Sequence, residues 1–455
     1  MLERMADQQE APTGRPAVPG LRRAPAAVVV DSPCVEALRV VVAANPTTKD
    51  AQLERFWAAV AERGAPLLEP ADSPEECVVT FLWRGTAETD GVLALVNRVT
   101  DRRDLAASAL RHLAGTDVWH LSYRMPADWQ ASYQLAPNTP PLPAGTPVRH
   151  GTAAGPNRAG AEDLRRQQDE HLLAQARPDP LNHQRLASIW GGPGMSAVYA
   201  PGAPRAPEWT PRAEQPPLPR GAVRRHAFDD DRAVWVYEPA AAAATYDLLL
   251  LLDGQSWAEV VDVAAALDQL VATDLVRPLL VVMPEAAVGP DRTAEFACNP
   301  RFTELVVDRW LPWIEQRWPI APDPARRAVA GQSMGGLAAV WLATRVPERI
   351  GVALAQSGSF WWRSHQPDDP DAEWLTHRLA EEPAVPVQVH LAVGLRESLL
   401  TGPTRRLAEV LRERGHHVRY DEYCGGHDML WWRTALTAGL QRAFAPATSD
   451  HDGAA

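Results

Sequence analysis

Arg327-Ala328-Val329-Ala330-Gly331-Gln332-Ser333-Met334-Gly335-Gly336-Leu337-Ala338-Ala339-Val340 reads as a short apolar strand that turns sharply and continues as a helix. The turn is a G-x-S-x-G sequence, and a serine there stands exposed at a strand's carboxyl end. Glycines at 331 and 335 have a mechanical job, because so tight a turn brings backbone against backbone and leaves no room for Cβ. The bare pentapeptide is common, and its strand and helix flanks are what give it meaning. Ser333 is the expected nucleophile of a hydrolase.

Outward from that turn, apolar runs recur at 246–252, 278–283, 327–330, 351–355 and 387–393, separated by amphipathic helical stretches. Such runs are what a mostly parallel sheet covered on both faces requires. The expected fold class is α/β, with an α/β-hydrolase catalytic domain over 221–447, entered through β-rich segments at 221–225 and 233–237. The amino half has another rhythm. After a helical segment at 48–63, short strands at 77–84, 91–97, 116–124 and 131–135 point to a smaller β-sandwich within 31–200. Residues 1–30, rich in Pro, Ala and Arg, read as a disordered leader. A charged helical stretch covers 161–177, and the proline-dense 201–220 reads as the domain connector.

The 455 residues carry a formal charge of −12, which argues against a general nucleic-acid binder or an anionic-membrane binder, since both need a basic surface. No apolar run approaches a membrane span, so no membrane insertion is expected. Residues 1–20 lack a basic segment followed by an apolar one, and the expected location is cytoplasmic. Cys34, Cys77, Cys298 and Cys424 lie far apart with no C-x-x-C spacing, as structural thiols do.

A serine hydroxyl needs a base within hydrogen-bond reach and a group that orients the base. In α/β-hydrolase order both follow the serine. His427, in Gly425-Gly426-His427-Asp428 after a strand-like stretch, is the expected base. Glu397, just past the last strong apolar run, is the expected acid. Asp421 and Asp428 compete with it, and a dyad without an acid stays open. The oxyanion needs two fixed N–H donors. Met334, next after the serine, and Gln255, in Asp253-Gly254-Gln255-Ser256-Trp257, are expected to supply them.

These residues, with others along the chain, resemble the enterochelin (enterobactin) esterases. The carboxyl half matches in Leu251-Leu252-Asp253-Gly254-Gln255-Ser256-Trp257, Asp291-Arg292-Thr293-Ala294-Glu295-Phe296, the serine turn, Gln356-Ser357-Gly358-Ser359-Phe360-Trp361-Trp362 and Gly425-Gly426-His427-Asp428. The amino half matches in Val96-Asn97 with Thr100-Asp101, Ala114-Gly115-Thr116-Asp117-Val118-Trp119, Ser132-Tyr133 and Asp179-Pro180-Leu181-Asn182. The resemblance implies an immunoglobulin-like β-sandwich before the α/β-hydrolase domain, Ser333 and His427 as nucleophile and base, and Glu397 in the family's Gly-x-x-Glu motif. Met334 replaces a phenylalanine of the enterobactin enzymes.

The implied substrate is a ferric catecholate trilactone siderophore. A ferric tris-catecholate is a bulky aromatic trianion, so its pocket calls for fixed cations and aromatic walls. Arg292, Arg301 and Arg433 are the expected cations, and Trp257, Trp361 and Trp362 the expected walls. Iron arrives inside the substrate, so neither a cofactor nor a metal site of the protein's own is expected. Two rival functions remain: a general esterase D-like carboxylesterase or acyltransferase, and a non-catalytic ferric-siderophore binding protein.

Overall fold

The computed structural model describes residues 27–101, 105–138, 174–189, 192–210, 218–228, 232–363 and 372–446. The expected leader up to residue 26, residues 161–173 of the charged stretch and residues 211–217 of the connector lie outside them. The chain divides into two compact units. One comprises Arg23–Pro204 together with the loop Cys424–Leu430; the other holds Arg205–Tyr423 and the segment from Trp431.

The amino-terminal unit contains β1 (Val28–Val30), β2 (Leu67–Pro70), β3 (Glu76–Arg84), β4 (Val92–Val96), β5 (Arg111–His112), β6 (Val118–Pro126), β7 (Gln130–Pro137), β8 (Arg185–Leu186) and β9 (Met195–Tyr199). They form two antiparallel sheets, β1-β6-β3-β2 with β5 also on β6, and β4-β7-β9-β8. One core joins them: Val79 and Phe81 of β3 and Leu121 and Tyr123 of β6 share a cluster with Val92, Ala94, Ala131, Tyr133 and Leu135 from the second sheet. The Phe81 and Tyr133 rings meet edge to face at 4.8 Å.

β4 alternates buried and half-buried positions, as a strand packed on one face should. β3 is buried from Cys77 to Leu82, because helices Pro33–Ala44 and Lys49–Arg63 pack their Val35, Leu38, Leu53, Trp57 and Val60 against Leu82 and Val118. The first of these helices is capped by Ser32, whose Oγ accepts from the Val35 N–H. Val28–Val30, read from composition as the end of the leader, instead pair with Ser122–Arg124 of β6. Three valines in a row favour a strand over disorder.

The carboxyl-terminal unit is built on one eight-stranded sheet of β10 (Ala222–Ala227), β11 (Ala233–Glu238), β12 (Asp247–Leu251), β13 (Leu279–Pro284), β14 (Arg327–Gln332), β15 (Val352–Gln356), β16 (Gln388–Gly394) and β17 (His417–Tyr423). Their order is β10-β11-β13-β12-β14-β15-β16-β17. β10 and β11 run antiparallel, and β12 through β17 are mutually parallel. Every residue of β12, β13, β14 and β15 is buried, which is why these strands read as unbroken apolar runs. The helix Met334–Arg345 is buried through Thr344 and packs on β14 and β15. This unit already starts within the expected connector, at Arg205. There Glu208 is buried against Thr437, and the Trp209 indole donates to the Arg433 carbonyl at 3.2 Å.

Among the described residues, no helix is long and apolar enough to cross a membrane. The four cysteines form no disulfide.

Candidate active site

β14 ends at Gln332, and Ser333 follows with φ 57° and ψ −120° before the helix begins. That conformation is costly for a residue with a side chain, and it persists only where the surroundings over-determine it. Here they do. The Ser333 N–H donates to the Gln356 carbonyl at 3.1 Å, and its carbonyl accepts from Gly336, Leu337 and Ser359 N–H at 3.1, 3.2 and 2.9 Å. A Cβ on Gly331 would lie 2.3 Å from the Gly335 carbonyl oxygen, so the turn closes only with glycine at 331. Ser333 is half-buried, and its Oγ lies 3.4 Å from Ser359 Oγ. Met334 occupies the first helical position, where an N–H has no intrahelical acceptor and the helix dipole favours negative charge.

The residue before the serine is locked too. Gln332 Nε2 donates to Gln356 Oε1 at 2.7 Å, and Gln332 Oε1 accepts from the Trp257 indole at 3.1 Å. Trp257 is wholly buried. Expected as a wall against substrate, it is instead a strut beneath the elbow, with its polar tip spent on Gln332.

The loop after β12 lies beside the start of this helix. Asp253 has φ 61°, and a Cβ on Gly335 would sit 3.3 Å from its Oδ2. Gly254 approaches so closely that a Cβ would be 2.1 Å from the Met283 carbonyl oxygen. Gln255 Oε1 accepts from the Ala286 N–H at 3.1 Å, pinning the loop to the end of β13. Arg292 grips Asp253 through Nε and Nη2, the latter at 2.6 Å from Oδ2, and lies over the Phe296 ring at 4.9 Å. Its Nη1 is buried with no hydrogen-bond partner.

The other residues expected to touch substrate are more scattered. Arg301 is exposed on the short helix Pro300–Glu304. Arg433 lies over the Trp209 ring at 5.6 Å. Trp361 is half-buried. Trp362 is buried edge-on against Trp374 at 5.8 Å, so it too serves packing and not an open wall.

Glu397 follows β16 and is 2% exposed. Its Oε1 accepts from Ser357 Oγ at 2.7 Å, the Gly394 N–H at 2.9 Å and the Tyr423 hydroxyl at 3.1 Å. Ser357 Oγ in turn accepts from the Trp432 indole at 2.9 Å. These contacts fix the direction of a buried carboxylate at the carboxyl ends of β15, β16 and β17. Asp421, by contrast, is on a half-exposed part of β17 and pairs with Arg442. Asp428 spends both oxygens on main-chain donors, Leu430 N–H at 2.9 Å and Ser132 N–H at 2.5 Å. Ser357 stands in one of the matched motifs with no role implied for it, and Tyr423 closes β17. Their only signal is position: each stands at the end of a strand adjacent to β16.

His427 belongs by its packing to the amino-terminal unit, in the loop Cys424–Leu430. Its backbone carbonyl accepts from Asn97 Nδ2 at 2.8 Å. Among the described residues, no cluster of His, Cys, Asp and Glu has a metal-holding arrangement.

The family model "Putative esterase" matches residues 226–443, and "Enterochelin esterase, N-terminal" matches 78–209. The chain is 33% identical over 426 residues to the iron(III) enterobactin esterase of Dickeya dadantii, covering 85% of this chain and 92% of that one. It is 28% identical over 400 residues to the iron(III) salmochelin esterase of Escherichia coli, covering 86% and 93%. The crystal structure of the Shigella flexneri enterobactin esterase in the presence of enterobactin superposes with a TM-score of 0.68 at 28% identity, over 86% of this chain and 97% of that one. With both halves of the chain matched and a relative 33% identical over 85% of its length, this protein belongs to the iron(III) enterobactin esterase family of carboxylic ester hydrolases.

Proposed function

We propose that this chain is a serine esterase that hydrolyses the ester bonds of ferric catecholate trilactone siderophores of the enterobactin type. The observation that carries the reading is Ser333, held at φ 57° between β14 and its helix. Glu397 after β16 and His427 after β17 complete the order nucleophile, acid, base. The names of the relatives, which act on enterobactin and salmochelin, support the substrate class.

In the reaction, His427 takes the Ser333 hydroxyl proton while Oγ attacks an ester carbonyl. The resulting oxyanion sits between the Met334 and Gln255 amides, which stabilise charge that is absent in the ground state. Collapse expels the alkoxide, which takes the proton back from His427, and leaves an acyl-enzyme. A water, deprotonated by His427, then releases the carboxylic acid and restores the serine. Glu397 orients the imidazole and stabilises its charged form. Opening the trilactone weakens the chelate and frees iron for use in the cytoplasm, where we place the enzyme.

Arg292, Arg301 and Arg433 would meet the trianion, with Trp361 as an aromatic wall. Trp257 and Trp362 act from the interior. Iron enters and leaves with the substrate, and the chemistry calls for no cofactor. The domain reading, adjusted to the boundaries of the two compact units, is a β-sandwich that takes in β1 and runs to about residue 204, then a catalytic domain from about 205 to 447. The pairings β2-β3-β6-β5 and β4-β7-β9 support an immunoglobulin-like sandwich, since they follow the A-B-E-D and C-F-G neighbours of that fold.

The test is incubation of wild type and Ser333→Ala with ferric and iron-free trilactones, followed by mass spectrometry. Wild type should yield linear hydroxy acids, each cleavage adding one water, and the variant none. Full turnover by Ser333→Ala would sink the mechanism. Marked preference for a small activated ester over the trilactone would favour a general esterase.

A further inference from the structure

The loop Cys424–Leu430 packs with the amino-terminal β unit, and it is tied there along its whole length. At its start the Gln130 N–H reaches the Cys424 carbonyl at 3.4 Å. In the middle Asn97 Nδ2 donates to the His427 carbonyl at 2.8 Å. A carbonyl can only accept, so this contact settles which end of the Asn97 amide faces His427. Directly after it, Asp428 accepts from Ser132 N–H of β7 at 2.5 Å and from Leu430 N–H at 2.9 Å. Gly426 lies so close to the turn after β4 that a Cβ would fall 2.3 Å from Arg98 Cγ and 2.5 Å from Asn97 Oδ1.

That turn is itself held. Thr100 Oγ1 accepts from the Val96 N–H at 2.9 Å and donates to the Ala94 carbonyl at 2.7 Å, while the Asn97 N–H donates to the Ser132 carbonyl at 3.0 Å. Asn97 Oδ1 is buried with no hydrogen-bond partner. A fold tolerates such an orphan where the other end of the amide is needed.

We infer that Asn97, seconded by the bond from Ser132 N–H to Asp428, is a positioning residue for the reaction. It fixes the main chain at His427 and thereby the direction of the imidazole. The inference rests on His427 being the base, as proposed above. It gives the Val96-Asn97 and Thr100-Asp101 motif a part in the chemical step, where the enzyme needs its base within a fraction of an ångström of a productive geometry.

In the full-length protein, Asn97→Ala and Asn97→Asp both remove the donor, and the second nearly keeps the shape. Each should lower kcat on p-nitrophenyl butyrate on the order of 10- to 100-fold, with KM changed less than about twofold. Each should also slow covalent labelling of Ser333 by a fluorophosphonate in the same ratio. Labelling needs the base but no siderophore, so a purely structural or substrate-binding role would move melting temperature or KM and leave it alone. Folded Asn97 variants with wild-type kcat and labelling overturn the inference. If neither folds, Asp428→Ala, which removes the acceptor of Ser132 N–H, carries the same test through the neighbouring bond, with wild-type rates again the overturning result. His427→Ala is the control that separates the two readings: if it labels at the wild-type rate, the proposed mechanism fails and not merely the positioning of its base.

Discussion

Gly331 and Ser333 divide one task, since the serine accepts a backbone conformation that suits glycine so that Oγ can stand clear of the sheet, and the glycine removes the atom that would prevent it. Gly331→Ala puts a methyl 2.3 Å from the Gly335 carbonyl oxygen. The nearest atoms are all backbone of Gly335, so the main chain must move. We expect a loss of about 1–3 kcal/mol in urea unfolding and a fall of more than about tenfold in ester hydrolysis; a variant matching wild type in both would show the turn to be looser than its geometry implies. The acid is tested at the same scale. Glu397→Gln keeps the size and leaves one oxygen to accept from Ser357, Gly394 and Tyr423, but removes the negative charge and the second acceptor oxygen. Its kcat should drop on the order of 10²- to 10⁴-fold. Asp421→Asn breaks only a surface pair with Arg442, 52% exposed at the carboxylate, and should stay within about twofold of wild type. Reversal of those two results would return the role to Asp421.

Strands and helices account for what could be read in advance. β12 to β16 were legible because burial on both faces leaves no alternation to look for, only apolar length. β5 and β8 are two residues each, too short to carry a period, and β9 follows a Gly- and Pro-rich stretch. The positions of Ser333 and Glu397 directly after a strand could be read from sequence, because following a strand is a local property. Trp257 was misread because an aromatic beside a motif looks the same whether it faces substrate or supports the turn from below. The tie from Asn97 to His427 spans 330 residues, so nothing local could reveal it. The corrected role of Trp257 has its own consequence. Trp257→Phe retains most of the volume yet leaves the buried Gln332 Oε1 without that donor, at a cost of about 1–3 kcal/mol. We expect lower stability and lower kcat with KM for the siderophore nearly unchanged; a change confined to KM would restore Trp257 to the pocket wall.

Across the whole molecule, histidines buried as neutral rings make stability depend on acidity. His390 lies on β16 at 9% exposure, and burial, then the nearby Arg442, push its pKa down from 6.5 to about 4; Asp421 pulls the other way, by less than Arg442 but more than the small further push from Arg419. Burial likewise lowers His416 and His120, with Arg414 and Arg111 adding to it. Between the two values for His390, the unfolded chain binds a proton that the folded chain refuses. Its contribution is therefore complete above about pH 6.5 and is lost as pH falls toward 4, amounting to roughly 3 kcal/mol at the acid end. His416 and His120 act in the same direction. Urea unfolding at a series of pH values from 7.5 to 4 should show this decline, and His390→Leu, which has no proton to bind, should flatten it even if its stability near neutrality is lower. An equal slope in wild type and variant would mean that carboxylates, and not buried imidazoles, govern the acid limb.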